Sequence, residues 1–310
     1  LLSKQLEYLR NGSSKPVYLV RESSPKVAAK KLMSELSPKL TADTPVFIKP
    51  NIGGFAWFRK GEVGFYGRVT NIDFVEGIVE YLEEQGVKSI SIGDGKMVNS
   101  LKAMQRVFRG TGYTALAKRH RSVRLVDLNC YGNKNKDDDS TPIAISLPNA
   151  RYLKTGLVLP KVYVHHLLNG LVINVPKLKT HRFARLSAGM KNLMGVIGVA
   201  TNGQNNPSHN RWRMHEELAD FDDFKAVADK KAQIKFIKRA RAAFAERLCD
   251  AFLAAQPHIT LVDGVEAWEG DGFDKGQIVR LNCAIGSYNT LYADRVAAKV
   301  ASLWNEPPVY

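Results

Sequence analysis

The stretch NVPKLKTHRFARLSAGMKNLMG, from Asn174 to Gly195, sets the expectation for the whole fold. Its first two residues end a mostly apolar run, Leu171–Val175, which is long enough for a strand covered on both faces. Pro176 then ends the pairing, because proline has no N–H to give to a sheet ladder. Three basic side chains follow at alternating positions, so an extended chain directs them to one side. They are Lys177, Lys179 and His181.

A second polar cluster, Lys191 and Asn192, comes one short segment later, and Gly189 and Gly195 on either side let the backbone approach a ligand closely. Cationic groups packed this tightly repel one another unless something negative lies between them. A carboxylate or a phosphate would fill that role, so the pattern predicts an anion site. Solvated lysines on a loop are the alternative interpretation of the same residues.

Two earlier strands are also predicted to end in polar residues. Pro45–Lys49 leads into Asn51 and a glycine pair, and the strand Ser89–Ile92 leads to Asp94. Ligands of open α/β sheets bind beyond the carboxyl ends of the strands, although a simple turn would also explain these residues. An aromatic loop over residues 52–69, which contains Arg68, is expected to fold over the site or against a partner. The predicted substrate-binding set is Lys49, Asn51, Arg68, Asp94, Lys179, Lys191 and Asn192.

Carboxylates follow a further strand, Ile259–Val262, where Asp263 and Glu266 come close behind it. Carboxylates opposite lysines suit proton transfer beside a bound anion, or a divalent cation that bridges protein and ligand. Salt bridges from these carboxylates to Lys177 or Lys191 are the structural alternative. The predicted catalytic residues are His181, Lys177 and Asp263. The candidate metal ligands are His181, His209, Asp263 and Glu266.

The runs VINVPKLKTH and MKNLMGV resemble the domain of unknown function 362 family. Further landmarks appear in that family's order and span most of the chain: FIKPN (47–51), SIGDG (91–95), TLVDGVEAWEGDG (260–272) and YADRVAAKV (292–300). The resemblance implies little about function. Many members of the family carry a cysteine-rich four-iron ferredoxin module, which this chain lacks.

The alternation of strand and helix patterns predicts one large α/β domain over residues 1–310, with a mostly parallel sheet flanked by helices. A β insertion is expected within 140–170, and a helical excursion within 200–255 that consists of a lid and a basic helix. Local signals further predict a helix that Thr70 caps and Gly86 closes, and a helix over Ala103–His120. Strands are predicted over Ile143–Leu147 and Leu157–Val164.

Composition narrows the partners and cofactors. The net charge of +15 and the pI of about 9.7 attract polyanions, so nucleic acid is a possible partner on charge alone. Much of the excess lies in an amphipathic helix predicted within 225–247, whose basic outer face is also typical of ordinary solvated helices. Three scattered cysteines give no iron–sulfur or cysteine zinc spacing, and GDGK at 93–96 matches neither an NAD nor an ATP loop. The expected location is the cytoplasm, because no transmembrane or signal segment is evident. The oligomeric state is left open.

Two functions fit these patterns. The first is an enzyme that acts on a small anionic, carboxylate-bearing substrate at the carboxyl-terminal edge of the sheet, with or without a divalent metal. Its reaction could be an isomerisation, an elimination, a ring closure or a hydrolysis. The second is a non-catalytic binding or redox-accessory protein that docks an acidic or iron–sulfur partner through its cationic loops.

Overall fold

A computed structural model describes residues 15–52, 65–95, 101–129, 139, 141–151, 157–181, 184–197, 229–271 and 275–303. Most of the strands belong to one mixed sheet with the order β1-β11-β10-β7-β2-β3-β4. Strands β10, β7, β2, β3 and β4 run parallel, and β11 lies antiparallel between β10 and β1. This confirms the predicted α/β class. The strands of this path are β1 (Val17–Arg21), β2 (Val46–Pro50), β3 (Ile90–Asp94), β4 (Val123–Asp127), β7 (Leu171–Val175), β10 (Ile259–Asp271) and β11 (Lys275–Ser287).

Helices cover both faces of the sheet, as the buried parallel strands require. Their bounds are α1 (Pro25–Leu36), α2 (Phe65–Arg68), α3 (Ile72–Glu84), α4 (Leu101–Gly110), α5 (Tyr113–Arg119), α6 (Lys161–Asn169), α7 (Gly189–Asn192), α8 (Lys230–Ala255) and α9 (Thr290–Val300). A 3₁₀ turn, Leu193–Val196, continues directly from α7. Side chains cap several of these helices: the Ser24 hydroxyl accepts a hydrogen bond from Val27 N, and Asn289 Oδ1 accepts one from Leu291 N.

Successive strand residues point to opposite faces and so feed different cores. In β2, Val46 and Ile48 pack with α1, α3, α4 and α5, whereas Phe47 packs with α6, α8 and the 3₁₀ turn. In β7, Ile173 packs in the same cluster as Val46 and Ile48, and Val172 packs in the same cluster as Phe47. A third cluster joins the distal part of the sheet to α9. The polar ends of the parallel strands therefore stand on a scaffold that is packed on both sides.

The chain does not leave the sheet after Pro176. It resumes as β8 (Lys177–His181), which pairs in parallel with the distal half of β10 and antiparallel with β9 (Arg185–Ser187). This is possible because β10 does not end at Asp263, as the sequence predicted, but runs on to residue 271 through an irregularity between Gly264 and Glu266. The long β10 therefore pairs with β7 near its start and with β8 further along.

Several local predictions need correction. The helix predicted over Ala103–His120 is two helices, because the chain turns at Thr111 and at Gly112, whose φ is +90°. Thr70 does not cap α3; Asn71 does, through Oδ1 to Asp73 N, while the Thr70 hydroxyl donates to Val175 O. Gly86, with φ of +82°, follows the last turn of α3 as expected.

The β insertion is a small separate sheet of β5 (Pro142–Ile145) and β6 (Leu157–Pro160) in antiparallel register. Its second strand is shorter than predicted, because residues 161–164 belong to α6. The proposed lid over residues 200–228 lies outside the described residues. The basic helix is α8. Its N-terminal half exposes basic side chains, whereas its C-terminal half is largely buried. Arg247 does not belong to the predicted basic outer face, because it is 4% exposed. Among the described residues, no helix combines the length and the apolarity that a bilayer crossing demands.

Candidate functional site

The carboxyl ends of β2, β3 and β7, together with β8 and the middle of β10, meet at one edge of the sheet, which we call the rim. Hydrogen bonds and ion pairs described below connect most of the predicted site residues there. The rim consists of Lys49, Asn51, Asp94, Asn174, Lys177, Lys179, Asn192 and Asp263, all of them buried except the half-buried Asn51. Segments far apart in the sequence therefore converge, as the strand-end argument predicted.

Lys49 and Asp94 form a buried ion pair, with 2.7 Å between Nζ and Oδ1. The Lys49 ammonium also donates to Pro50 O and to Asn192 Oδ1, each at 2.9 Å. Asp94 Oδ2 accepts from Ile52 N at 3.0 Å. A Cβ at Gly195 would lie 2.7 Å from Lys49 Nζ and closer still to Asp94, so this position has room for glycine only. The pair is thus enclosed by the 3₁₀ turn.

Lys177 and Asp263 form a second pair at 2.9 Å, and both side chains are 0% exposed. Asp263 Oδ2 also accepts from Asn71 N at 2.8 Å, where α3 begins. An anion is favoured at this end of a helix, because the first N–H groups have no partner within the helix. The salt bridge considered from sequence between Asp263 and Lys177 is therefore present, and it ties β8, β10 and α3 together.

Two of the partners of Lys179 are neutral acceptors. Its ammonium donates to Asn51 Oδ1 at 2.9 Å and to Arg68 O at 2.7 Å. Burial, followed by the charges of Lys191, Lys177 and Lys49, lowers the pKa of Lys179 well below its ordinary value, and Asp94 opposes the shift. Arg68 therefore contacts Lys179 through its carbonyl oxygen. Its guanidinium stacks on Trp268, with 4.3 Å between Cζ and the ring centroid.

Asn192 connects the strands to α7 with four hydrogen bonds. Its Oδ1 accepts from Lys49 Nζ at 2.9 Å and from Asn51 Nδ2 at 3.2 Å. Its Nδ2 donates to Lys49 O at 3.2 Å and to Asn174 Oδ1 at 2.8 Å. The start of α7 is fixed in turn by Asp294, whose carboxylate accepts from Gly189 N and Met190 N. The turn that carries Lys191 is therefore rigidly positioned over the rim.

Lys191 differs from the other lysines. It is only half-buried, and its ammonium makes no hydrogen bond or ion pair within the part of the chain that the structure describes. Nζ lies 5.7 Å from the centroid of the Phe244 ring, which α8 supplies. Burial and the charge of Lys49 lower the pKa of Lys191 to about 8, against the opposing effect of Asp94. We call Lys49, Lys177, Lys179 and Lys191 the lysine cluster.

His181, at the end of β8, is 7% exposed and lies beside the same aromatic ring. Its imidazole is parallel to Phe244, with 6.3 Å between the centroids and an angle of 5°. Its Nδ1 accepts from Ala184 N at 3.0 Å, so the neutral ring carries its proton on Nε2. Sequence reasoning treated Phe244 as a core position of the basic helix, and nothing local marks it as a neighbour of His181 and Lys191.

Glu266 and Glu269 make no hydrogen bond or ion pair to the lysine cluster in the part of the chain that the structure describes. Glu266 pairs across the hairpin with Arg280 at 3.8 Å, and Glu269 is exposed near the hairpin end. His209 lies outside the described residues. Within the described ranges, no three His, Cys, Asp or Glu side chains come together in a way that could hold a metal ion.

Tyr113 is a rim neighbour that sequence reasoning missed. It is 1% exposed at the start of α5, and its hydroxyl has no hydrogen-bond partner among the described residues. Burial, and then the charges of Asp94 and Asp263, raise the pKa of Tyr113 well above its ordinary value. The hydroxyl therefore lies within the electrostatic reach of both buried carboxylates of the rim, and a buried polar group in such a place needs a partner.

A Tyr113→Phe variant is expected to raise the free energy of unfolding by about 1 kcal/mol, because an unsatisfied buried hydroxyl costs about 1–3 kcal/mol. Urea denaturation followed by circular dichroism measures the change. Tyr163→Phe is the matched control: Tyr163 is equally buried, but its hydroxyl donates to Ala255 O at 2.6 Å, so the variant should lose stability. Equal destabilisation by both substitutions would contradict the unpartnered state of the Tyr113 hydroxyl.

Comparison with known proteins gives the family and little else. No curated protein matches the chain. A structural-genomics crystal structure of a Thermotoga maritima protein has a TM-score of 0.47 and 10% identity, and the match covers 91% of this chain and 60% of that one. The chain thus spans less than two thirds of that protein's length. The family profile named "Domain of unknown function (DUF362)" matches residues 46–299, so the chain belongs to the DUF362 family.

Proposed function

We propose that the protein is an enzyme that acts on a small anionic, carboxylate-bearing substrate at the rim. The observation that carries this proposal is the state of Lys191. Its half-buried ammonium has no hydrogen bond or ion pair within the described part of the chain, and it lies in the positive field of Lys49. A substrate carboxylate that accepted a hydrogen bond from Lys191 would supply the missing partner and relieve that repulsion.

The buried pairs have a supporting part in this proposal. Lys49 and Lys177 are each about 1% exposed and paired with Asp94 and Asp263. Side chains enclosed in this way hold the strand ends together and bring positive charge near the substrate without touching it. We therefore assign Lys177 and Asp263 to positioning, and we assign the contact with the anion to Lys191.

Proton transfer is the chemistry that the remaining groups support. Because its pKa is lowered, Lys179 loses its proton more readily than an ordinary lysine, so its amine can serve as a general base. His181, at the end of β8, supplies an imidazole as a second acid–base group. Isomerisation, elimination, ring closure and hydrolysis next to a carboxylate all use such a step.

A thermal-shift screen of small mono- and dicarboxylates tests the proposal. At pH 6.5 we expect at least one acid to raise the melting temperature, because a ligand that binds only the folded state stabilises it. The affinity should fall as the pH rises through about 8, since Lys191 is charged below its pKa and neutral above it.

Lys191→Met should abolish the shift, whereas Lys238→Met, the same change at an exposed site on α8, should leave it intact. A screen without any hit would refute the proposal. So would a Lys191→Met variant whose melting temperature rises as much as that of the wild type.

One observation favours the second candidate function, a docking protein for an acidic partner. The N-terminal half of α8 exposes five basic side chains, and the exposed Ile234 lies among them. Such a surface binds polyanions in a salt-dependent manner. This candidate would gain support if charge removal on α8, and not at Lys191, weakened complex formation with an acidic protein. The basic residues are Lys230, Lys231, Lys235, Lys238 and Arg239.

A further inference from the structure

The four members of the lysine cluster differ in how their amines are held. Lys49 donates to Pro50 O and Asn192 and pairs with Asp94, and Lys177 pairs with Asp263. Lys179 donates to Asn51 and Arg68. Lys191 alone, among these four and within the described part of the chain, has neither a hydrogen bond nor an ion pair, and it is the one that is only half-buried. An incoming molecule can therefore reach this amine without breaking a hydrogen bond or an ion pair to a described residue.

The surroundings of Lys191 also favour the neutral, nucleophilic amine. Burial and the charge of Lys49 favour the neutral form, and Lys179 is also within electrostatic reach. Asp94 and the face of the Phe244 ring, 5.7 Å from Nζ, favour the charged form. A lysine that is partly desolvated and placed next to another cation is the arrangement that prepares an amine to attack a carbonyl carbon. An ordinary exposed lysine lacks both features.

We propose that the substrate carries a carbonyl group as well as a carboxylate, and that Lys191 captures it as an imine. This inference rests on the proposed function and narrows its substrate class to oxo acids. The amine nitrogen attacks the carbonyl carbon and the C–O bond breaks. One water leaves, its oxygen from the carbonyl and both of its hydrogens from the amine. Once protonated, the imine withdraws electrons from the neighbouring carbon.

Reductive trapping with cyanoborohydride on the wild-type protein tests the inference. The protein is incubated at pH 7 with pyruvate or 2-oxoglutarate and with sodium cyanoborohydride, which reduces an imine to a stable secondary amine. Peptide mass mapping then locates the adducts. We expect an adduct at Lys191 to form about tenfold faster than at exposed lysines such as Lys238, because the lowered pKa leaves more of the amine unprotonated. Lactate, which lacks the carbonyl, serves as the control without an adduct.

Lys191→Arg separates the two proposals, since arginine keeps the positive charge but forms no imine under these conditions. This variant should retain the thermal shift with carboxylates and lose the adduct. If wild type shows the thermal shift but labels Lys191 no faster than exposed lysines, the imine is refuted and the anion site stands. A dominant adduct at Lys179 would also refute the assignment to Lys191. If neither shift nor adduct appears, both proposals fail.

Discussion

An Asp263→Asn variant is expected to unfold with a free energy about 3–5 kcal/mol lower than that of the wild type, because it leaves a buried ammonium without its counter-ion. Lys177 and Asp263 are 0% exposed, so water cannot replace the lost carboxylate. Asparagine has nearly the same size, which excludes a cavity as the cause. The first turn of α3 also loses an anionic acceptor at Asn71 N. Urea denaturation at pH 7 measures the loss.

Lys177→Met in the Asp263→Asn background is the matched test of that explanation. It removes the unpaired charge, and hydrophobic residues of similar volume often replace a buried ion pair at little cost. Most of the lost stability should therefore return in the double variant. A loss below about 1 kcal/mol in Asp263→Asn alone would contradict this explanation.

An Asn192→Leu variant is expected to lose about 3 kcal/mol or more of unfolding free energy and to lose carboxylate binding as well. Leucine has the branching of asparagine, but it is larger and breaks four hydrogen bonds, to Lys49, Asn51 and Asn174, so overpacking adds to the loss. Each buried partner that is left unsatisfied costs about 1–3 kcal/mol. Because Asn192 is adjacent to Lys191, the turn that presents the Lys191 amine would lose its anchor. Denaturation curves and the carboxylate thermal shift measure the two effects.

Asn192→Asp is the control for this prediction. An aspartate keeps the two accepting contacts, to Lys49 Nζ and Asn51 Nδ2, but it loses the two that Nδ2 donates and sets a carboxylate oxygen against Lys49 O and Asn174 Oδ1. Its stability should lie between those of the wild type and Asn192→Leu. An Asn192→Leu protein with wild-type stability would show that the rim does not depend on this residue.

The sequence predicted the position of the rim because its signals are local. Lys49 and Asp94 lie at the carboxyl ends of apolar strands, the KLKTH run follows another, and parallel strands end at the same edge of a sheet. The same argument could not distinguish the enclosed Lys177 from the half-buried Lys191. That difference depends on the pairing of β8 with β10 and on Phe244 of α8, both of which bring together residues remote in sequence.

The features that the sequence did not predict have their causes at long range. Nothing around Tyr113 indicates that its hydroxyl lies within electrostatic reach of two carboxylates on β3 and β10. The role of Asp294 in fixing α7 is equally hidden, since the carboxylate and Gly189 N are 105 residues apart. The break at Gly112 was missed for a different reason: apolar periodicity continued across it, and one glycine in a helical pattern is a weak stop signal.

The long-range bonds of the rim also determine when it can form during synthesis on a ribosome. Lys49 meets Asn192 across 143 residues, and Asn71 meets Asp263 across 192. The amides at Gly189 and Met190 acquire their carboxylate only after residue 294 has left the exit tunnel. A nascent chain released before that point would contain all four residues of the lysine cluster. The start of α7, which presents Lys191, would still lack the carboxylate that fixes it.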